Sequence, residues 1–329
     1  MLTPPIEPIL AQARDTLPRP GEVADPIWQQ KADGYRCLAF IRSGTVLLQS
    51  RRGADLTAAF PEFVEAAADI DEDLVVDGEL VVFHGGRLDF AALQQRARRR
   101  GRGAVAAART VPALLVLFDL LEAPGGEVLF SRPYRERWAR LEALFSSGVL
   151  RSPWTLTAST DDRATAQEWL DPAWGRVGIE GVVVKAGTGT YRPGQRGSWW
   201  KVRTFESHEG IIAGVTGPVR SPHSLLLARY DMAGRLRFIG RTTPLSAAAR
   251  RELGTVLVPG GPEHPWTGIR ISAGWSSTEH LRYDTVQPDT VAEYRADTAA
   301  ERGRHRHPVR YLRTRSDLTP ADIEPLSAD

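Results

Sequence analysis

Between Trp28 and Arg203 the chain is written in short apolar runs separated by turn residues, and this punctuation restricts its fold more than any other feature. Arg36 to Ile41 and Thr45 to Ser50 flank Ser43-Gly44 and predict a hairpin. Leu74 to Phe83 ends at His84-Gly85-Gly86, and Ala113 to Leu121 resumes the apolar pattern. Strands joined this closely pair antiparallel, because a parallel crossover needs a dozen or more residues. Helices are predicted at 60–69, 90–100 and 132–146, the last with Trp138, Leu141, Leu144 and Phe145 on one face. Gly187 to Ser198, glycine-bearing and set between two apolar strands, reads as a mobile flap.

After Thr204 the texture changes. Gly210 to Val215, Ser224 to Tyr230 and Leu236 to Gly240 read as strands, Ala247 to Leu253 as a helix, and Val291 to Ala296 and Val309 to Arg313 as further strands. Five strands and one helix suit a small Greek-key barrel of the oligonucleotide-binding (OB) kind. The stretch from Val258 to Ser277, with Trp266 and Trp275, gives no assignment. At 329 residues the chain exceeds one ordinary core, so two domains are expected, 1–204 and 205–329. The lack of an apolar run of about 18 residues or a basic-then-apolar leader predicts neither membrane span nor secretory signal, and the expected location is the cytoplasm. Cys37 is the sole cysteine and falls in a predicted strand, which makes it a buried thiol.

Charge is more informative in its placement than in its sum of +2. Arg96, Arg98, Arg99, Arg100 and Arg102 form one run; Arg302, Arg304, Arg306, Arg310, Arg313 and Arg315 form another with His305 and His307. Either run could be a solvated loop or a surface for a phosphate backbone. Against a combined Lys+Arg count of 42, only three lysines occur, Lys31, Lys185 and Lys201. Arginine keeps its proton, whereas lysine can become a neutral amine nucleophile or a compact charge on phosphate, so these three positions are where chemistry is expected. No lysine follows a glycine, which excludes a P-loop.

Lys31-Ala32-Asp33-Gly34-Tyr35-Arg36 matches the Lys-x-Asp-Gly-x-Arg signature, and the chain resembles the covalent nucleotidyltransferases: ATP-dependent DNA ligases, RNA ligases and capping enzymes. Ser50-Arg51, Asp77-Gly78-Glu79, Leu117 to Leu120, Glu180 to Lys185, Lys201-Val202-Arg203 and Arg315-Ser316-Asp317 follow in the family's order. Ser131 to Arg137, followed by Leu141-Glu142, is similar to DNA ligases in particular, and the overall size resembles stand-alone bacterial LigC-type ligases.

The resemblance implies an α+β nucleotidyltransferase domain of antiparallel sheets, ATP-grasp-like, followed by an all-β OB-fold domain. It implies ATP and Mg²⁺ as cofactors and nicked double-stranded DNA as partner, with a monomer acting in repair. Lys31 would carry AMP, with Asp33 near the metal and Arg36 on the ribose. Arg51 would grip the 5′-phosphate of the nick. Asp77, Glu79 and Glu180 are the metal candidates, Glu79 also serving the ribose. Phe118 would stack on adenine, and Lys185, Lys201 and Arg203 would face the α-phosphate. Three positions depart from the family pattern: Gln29 where Glu is frequent, Arg203 where a second lysine is common, and Leu318 where Arg315-Ser316-Asp317 is expected to continue with lysine. The last removes a cation expected to orient pyrophosphate. An RNA ligase or other lysine-dependent nucleotidyltransferase and a weakly active nucleic-acid-binding relative remain as rival readings.

Overall fold

Two sheets form the first of two units, Met1–Thr204, in a computed structural model that describes residues 1–272, 274 and 279–326. In chain order the main elements are β1 (Leu10–Arg14), β2 (Pro26–Ala32), β3 (Tyr35–Arg42), β4 (Thr45–Ser50), α1 (Pro61–Ala67), β5 (Leu74–His84), α2 (Phe90–Ala97), α3 (Gly101–Thr110), β6 (Ala113–Ala123), α4 (Tyr134–Ser146), β7 (Ser159–Thr160), β8 (Ile179–Ala186) and β9 (Arg196–Arg203). One sheet has the order β1-β9-β8-β2-β7, antiparallel except where β1 pairs with β9. The other is built on β4-β3-β5-β6, with every neighbour antiparallel.

Period-two alternation divides β3, β5 and β6 into two faces. Cys37, Ala39, Ile41, Val76, Leu80 and Leu115 face a core closed by Phe63 of α1, Leu93 of α2 and Trp138 and Leu141 of α4. The opposite face carries Leu38, Phe40 and Val75, which pack with Trp199 of the other sheet and with Ile9, just before β1. Cys37 is fully buried, and burial pushes its thiol far up.

Two sequence expectations are corrected. The helix expected through Arg100 ends at Ala97, and α3 begins at Gly101, whose φ of +52° breaks the helical run. The Ala-rich stretch after Gly103 has high helix propensity and is the signal that marks α3. The segment from 187 to 198 is not a loose flap. Tyr191 is 2% exposed, its hydroxyl donates to Asp77 Oδ2 (2.8 Å) and accepts from Ile9 N (3.2 Å), and its own N donates to Phe130 O (2.9 Å).

The second unit, Phe205–Asp329, contains β10 (Phe205–Thr216), β11 (Ser224–Tyr230), β12 (Leu236–Arg241), α5 (Ala247–Val256), β13 (Val291–Asp297) and β14 (Arg310–Thr314). Its sheet runs β12-β11-β10-β13-β14. A parallel bridge between Thr242 and Val309, with Thr243 N donating to Val309 O (2.7 Å), joins the last strand's entry back to the end of β12. Ile212, Leu225, Leu227, Ile239, Leu253 and Tyr294 fill its core. Trp266 is buried with its indole N–H on Leu236 O (2.9 Å), whereas Trp275 lies outside the described residues. Among the described residues no helix is long and apolar enough to cross a membrane.

Candidate active site

Strand register brings the three lysines onto one face of the first sheet. Val183 of β8 lies opposite both Gln29 of β2 and Lys201 of β9, and Lys185 lies opposite both Ile27 and Trp199. Directly opposed residues on antiparallel strands point the same way, so Gln29, Lys31, Lys185 and Lys201 share this face. Arg36, Asp77 and Glu79 come from the inward face of the second sheet, where Arg36 is opposite Glu79.

Two glycines make the geometry possible. A Cβ on Gly34 would lie 2.3 Å from Leu80 O, so the turn after Lys31 can pass against β5 only without a side chain. Gly181 has φ +145° and a Cβ there would meet Val202 O at 2.1 Å. The irregularity in β8 between Ile179 and Val182 contains it, and turns Glu180 toward Lys31.

Lys31 Nζ donates to Glu180 Oε1, and Arg203 Nε lies 3.6 Å from Glu180 Oε2. Burial pushes the Lys31 ammonium down, but the carboxylates of Glu180 and Glu79 and the hydrogen bond to Glu180 outweigh it, and the net direction is up. Glu79 moves the other way: burial and the nearby Glu180 and Asp33 overcome Lys31 and Arg36, and its carboxyl is pushed up to about 7. Lys201 is pulled down by burial and then by the positive charges of Arg203, Lys31 and Arg51. This cation group is suited to polyanionic phosphate. Arg51 itself is exposed and, with Arg52, lines a cleft of about 540 Å³ together with Ile6, Glu7 and Gly194.

Gln29 is 1% exposed, and neither Nε2 nor Oε1 makes a well-formed hydrogen bond, although the Tyr134 hydroxyl lies against the amide. A buried amide without partners costs about 1–3 kcal/mol, so a ligand that offers both donor and acceptor would recover it.

Three expected sites have different surroundings from those the motif alone suggests. Asp77 is fully buried; Arg36 Nε and Nη2 donate to its two oxygens (2.6 and 2.5 Å) and Tyr191 adds a third donor. With both oxygens engaged it has no open position for a metal. Arg36 is correspondingly held to Asp77, which leaves its remaining N–H groups for a ribose. Lys185 is 1% exposed, enclosed by aromatic rings: its Nζ lies 3.9 Å from the Trp199 centroid, 4.4 Å from Tyr134 and 4.5 Å from Phe118, and donates to Phe118 O (2.7 Å). Burial drives its ammonium well down despite Asp119 and Asp77. In this arrangement Lys185 is a wall of the pocket and does not reach toward phosphate. Phe118 is half-buried, with Arg36 Cζ 4.9 Å and Lys185 Nζ 4.5 Å from its ring centre, so an adenine stacked there would share the ring with cations.

Behind this wall, Arg137 of α4 and Asp119 of β6 form a wholly buried bidentate pair, both distances 2.8 Å, and Tyr134 OH donates to Phe118 O (2.9 Å). Tyr134, Tyr191 and Arg137 thus support the pocket; Tyr134 and Arg137 lie in the segment that resembles DNA ligases, whereas Tyr191 is not singled out by the sequence. Arg315 belongs to the second unit, where it pairs with Glu209 (3.0 Å) and Asp317 (2.7 Å). Leu318 is partly buried and packs against the core containing Ile211 and Trp266.

Residues 8–203 match the ATP dependent DNA ligase domain family. DNA ligase C2 of Mycolicibacterium smegmatis is 32% identical over 335 aligned residues, which span 95% of this chain and 91% of that protein. DNA ligase C of Mycobacterium tuberculosis is 33% identical, spanning 96% of this chain and 92% of the relative. The solved ligase domain of M. tuberculosis LigD aligns over 96% of this chain and 98% of its own at 27% identity and a TM-score of 0.50. The lysine motif, its glycine-dependent turn and the facing carboxylates therefore lie within a match that covers most of the sequence, and the chain belongs to the ATP-dependent DNA ligase family.

Proposed function

We propose that this protein seals nicks in duplex DNA through a covalent AMP on Lys31. The observation that carries the reading is the Lys31–Glu180 ion pair on a sheet face shared with Lys201 and Arg203. Lys31, the lysine of the Lys-x-Asp-Gly-x-Arg motif, loses its proton, attacks the α-phosphorus of ATP and releases pyrophosphate. AMP then passes to the 5′-phosphate of the nick, held by Arg51, and the 3′-hydroxyl expels it. Lys201 and Arg203 neutralise the transferring phosphate. Gln29 accepts from the adenine amino group, Phe118 and Trp199 flank the base, and Arg36 touches the ribose.

Glu79 and Glu180 are the residues fitted to hold Mg²⁺, with the charge of Asp33 acting on Glu79. The fit rests on Glu79, whose carboxyl is held near neutrality by burial and the adjoining acids and would be relieved by a cation. Bound there, the metal supplies positive charge to the phosphates and disfavours the Lys31 ammonium. Asp77 is withdrawn from the metal set because Arg36 and Tyr191 occupy it.

The second unit is proposed as an OB barrel. The strand order, the β12-to-β14 closure through Thr242 and Val309, and helix α5 between the third and fourth strands support it. We further propose a monomer in the cytoplasm that acts in repair. Incubation with ATP, GTP or NAD in turn, followed by mass measurement and addition of nicked DNA or RNA, tests the scheme. ATP alone should add AMP to Lys31, and DNA nicks should be sealed; capture of GMP or preference for RNA nicks would overturn it.

A further inference from the structure

The two arginine-rich runs have opposite surroundings. In the second unit Arg313 Nε lies 2.7 Å from Glu293, and Arg315 is held by Glu209 and Asp317, so much of that charge is neutralised locally. In the first unit Arg98, Arg99, Arg100, Arg102 and Arg109 are exposed, and among the described residues no carboxylate forms an ion pair with any of the five. No Asp or Glu occurs between Asp89 and Asp119. Arg100 Nη1 folds back only onto the carbonyls of Ala97 and Arg99, both 2.7 Å.

Arg96, in the same run, does something else. It is 3% exposed, donates twice to Glu62 of α1 (2.7 and 3.0 Å) and reaches Ala104 O of α3 (3.2 Å). That arginine pins α2 and α3 to α1, and the fold accounts for it. Fold stability does not account for the others. Arg102 stands in the first turn of α3, where no acid is present and the macrodipole disfavours a cation by about 0.3–1 kcal/mol.

We infer that the α2–α3 knuckle is a second docking surface for duplex DNA, gripping phosphates of the arm beside the nick independently of base sequence. The inference rests on the ligase reading above and extends it to a surface outside the lysine pocket. Its occupant follows from charge and spacing. Arg102 and Arg109 are two helical turns apart on the exposed face of α3, about 10 Å at 1.5 Å per residue, close to three base-pair steps of about 3.4 Å. A rigid helix carrying guanidinium groups without carboxylate partners at that interval suits a backbone of regular pitch, and each phosphate neutralised releases counterions.

The test is a quadruple variant, Arg98→Gln, Arg99→Gln, Arg100→Gln and Arg102→Gln, with Arg96 and Glu62 left intact. Affinity for a nicked duplex is measured by fluorescence anisotropy from 50 to 200 mM NaCl, with AMP capture followed in parallel. The plot of log affinity against log salt should become shallower by about 0.9 for each phosphate that is no longer neutralised, up to roughly 3–4 in all. Capture from ATP should be unchanged. An unchanged slope with normal capture overturns the inference. If the quadruple variant loses capture through misfolding, Arg109→Glu alone, a single change on the solvent face of α3, should still reduce the slope by about one, and failure to do so also overturns it. Failure of the ligase reading looks different: wild-type protein would capture no AMP and seal no nick, whatever its salt slope.

Discussion

Glu79→Gln should make the protein more stable and less active, and the stability gain should depend on pH in a way that identifies this carboxyl. In the folded protein the group is pushed from its ordinary 4.5 to about 7, chiefly by burial, with Glu180 and Asp33 adding repulsion. A raised carboxyl means that the folded state holds the proton more tightly than the unfolded chain. The contribution is therefore neutral below about pH 4.5 and becomes destabilising as pH rises, with the full cost present above about 7. At 1.36 kcal/mol per unit the cost is about 3 kcal/mol, and solvent screening of this partly exposed side chain reduces it to about 2. Glutamine cannot ionise, so its advantage should grow from nothing near pH 4 to roughly 4–8 °C in Tm at pH 8, for a unit of this size. The assay is thermal unfolding followed by circular dichroism across that range, with and without millimolar Mg²⁺. The metal should raise the wild-type Tm at pH 8 and narrow the gap to the variant. A Tm difference that is flat with pH, or an advantage of the variant that shrinks from pH 5 to pH 8, would refute both the origin of the shift and the claim that Glu79 awaits a cation.

Four further substitutions test the assigned roles. Lys31→Arg should abolish covalent AMP capture, read by mass, because guanidinium keeps its proton, while the melting temperature stays within a few degrees; adenylation on a neighbouring residue would overturn the assignment. Arg51→Ala should slow nick sealing by pre-adenylated enzyme far more than capture from ATP, since its expected partner is the DNA phosphate, and equal losses in both steps would remove that role. Arg315→Ala should slow capture by about 100-fold, as for loss of a charged transition-state donor. Leu318→Lys should speed capture without altering sealing by pre-adenylated enzyme, and should lower stability by about 1 kcal/mol because the leucine packs on the second unit's core. No change in capture from either substitution would show that this motif does not serve the first step.

What the sequence makes legible is mostly local in cause. The hairpin of β3 and β4, the breaks at glycine turns and the strands bearing the lysines follow from alternation and turn chemistry over a few residues. The candidate set is legible because its members sit at motif positions, and strand register then brings Gln29, Lys31 and Lys201 to one face. What stays hidden depends on partners far away in the chain. Asp77 and Glu79 are two residues apart on one strand, yet Tyr191, 114 residues on, closes over Asp77 and leaves Glu79 open to other uses. Lys185 reads as a phosphate ligand from its motif, but the rings of Phe118, Tyr134 and Trp199, each from a different element, enclose it. Arg96 and Arg98 belong to one run, but only the first meets an acid, Glu62, from another helix.

The same long-range pairing determines the state in which Lys31 waits. The hydrogen bond to Glu180 holds it as an ammonium, and in that form it has no lone pair with which to attack phosphorus. Its surroundings are nevertheless unfavourable to that charge in every respect except the carboxylates: burial and Arg203 both act against it. Anything that draws negative charge away from Glu180 and Glu79 therefore removes the support for the proton and leaves the forces that expel it. A substrate-borne or metal cation at those carboxylates does this at the moment when phosphate is present to be attacked, whereas without one the pocket keeps its nucleophile protonated and inert. Glu180→Gln removes the support permanently. Capture by that variant should persist to lower pH than in the wild type, at a reduced maximal rate because a metal candidate is lost, and a pH profile shifted upward would show that Glu180 does not govern the proton on Lys31.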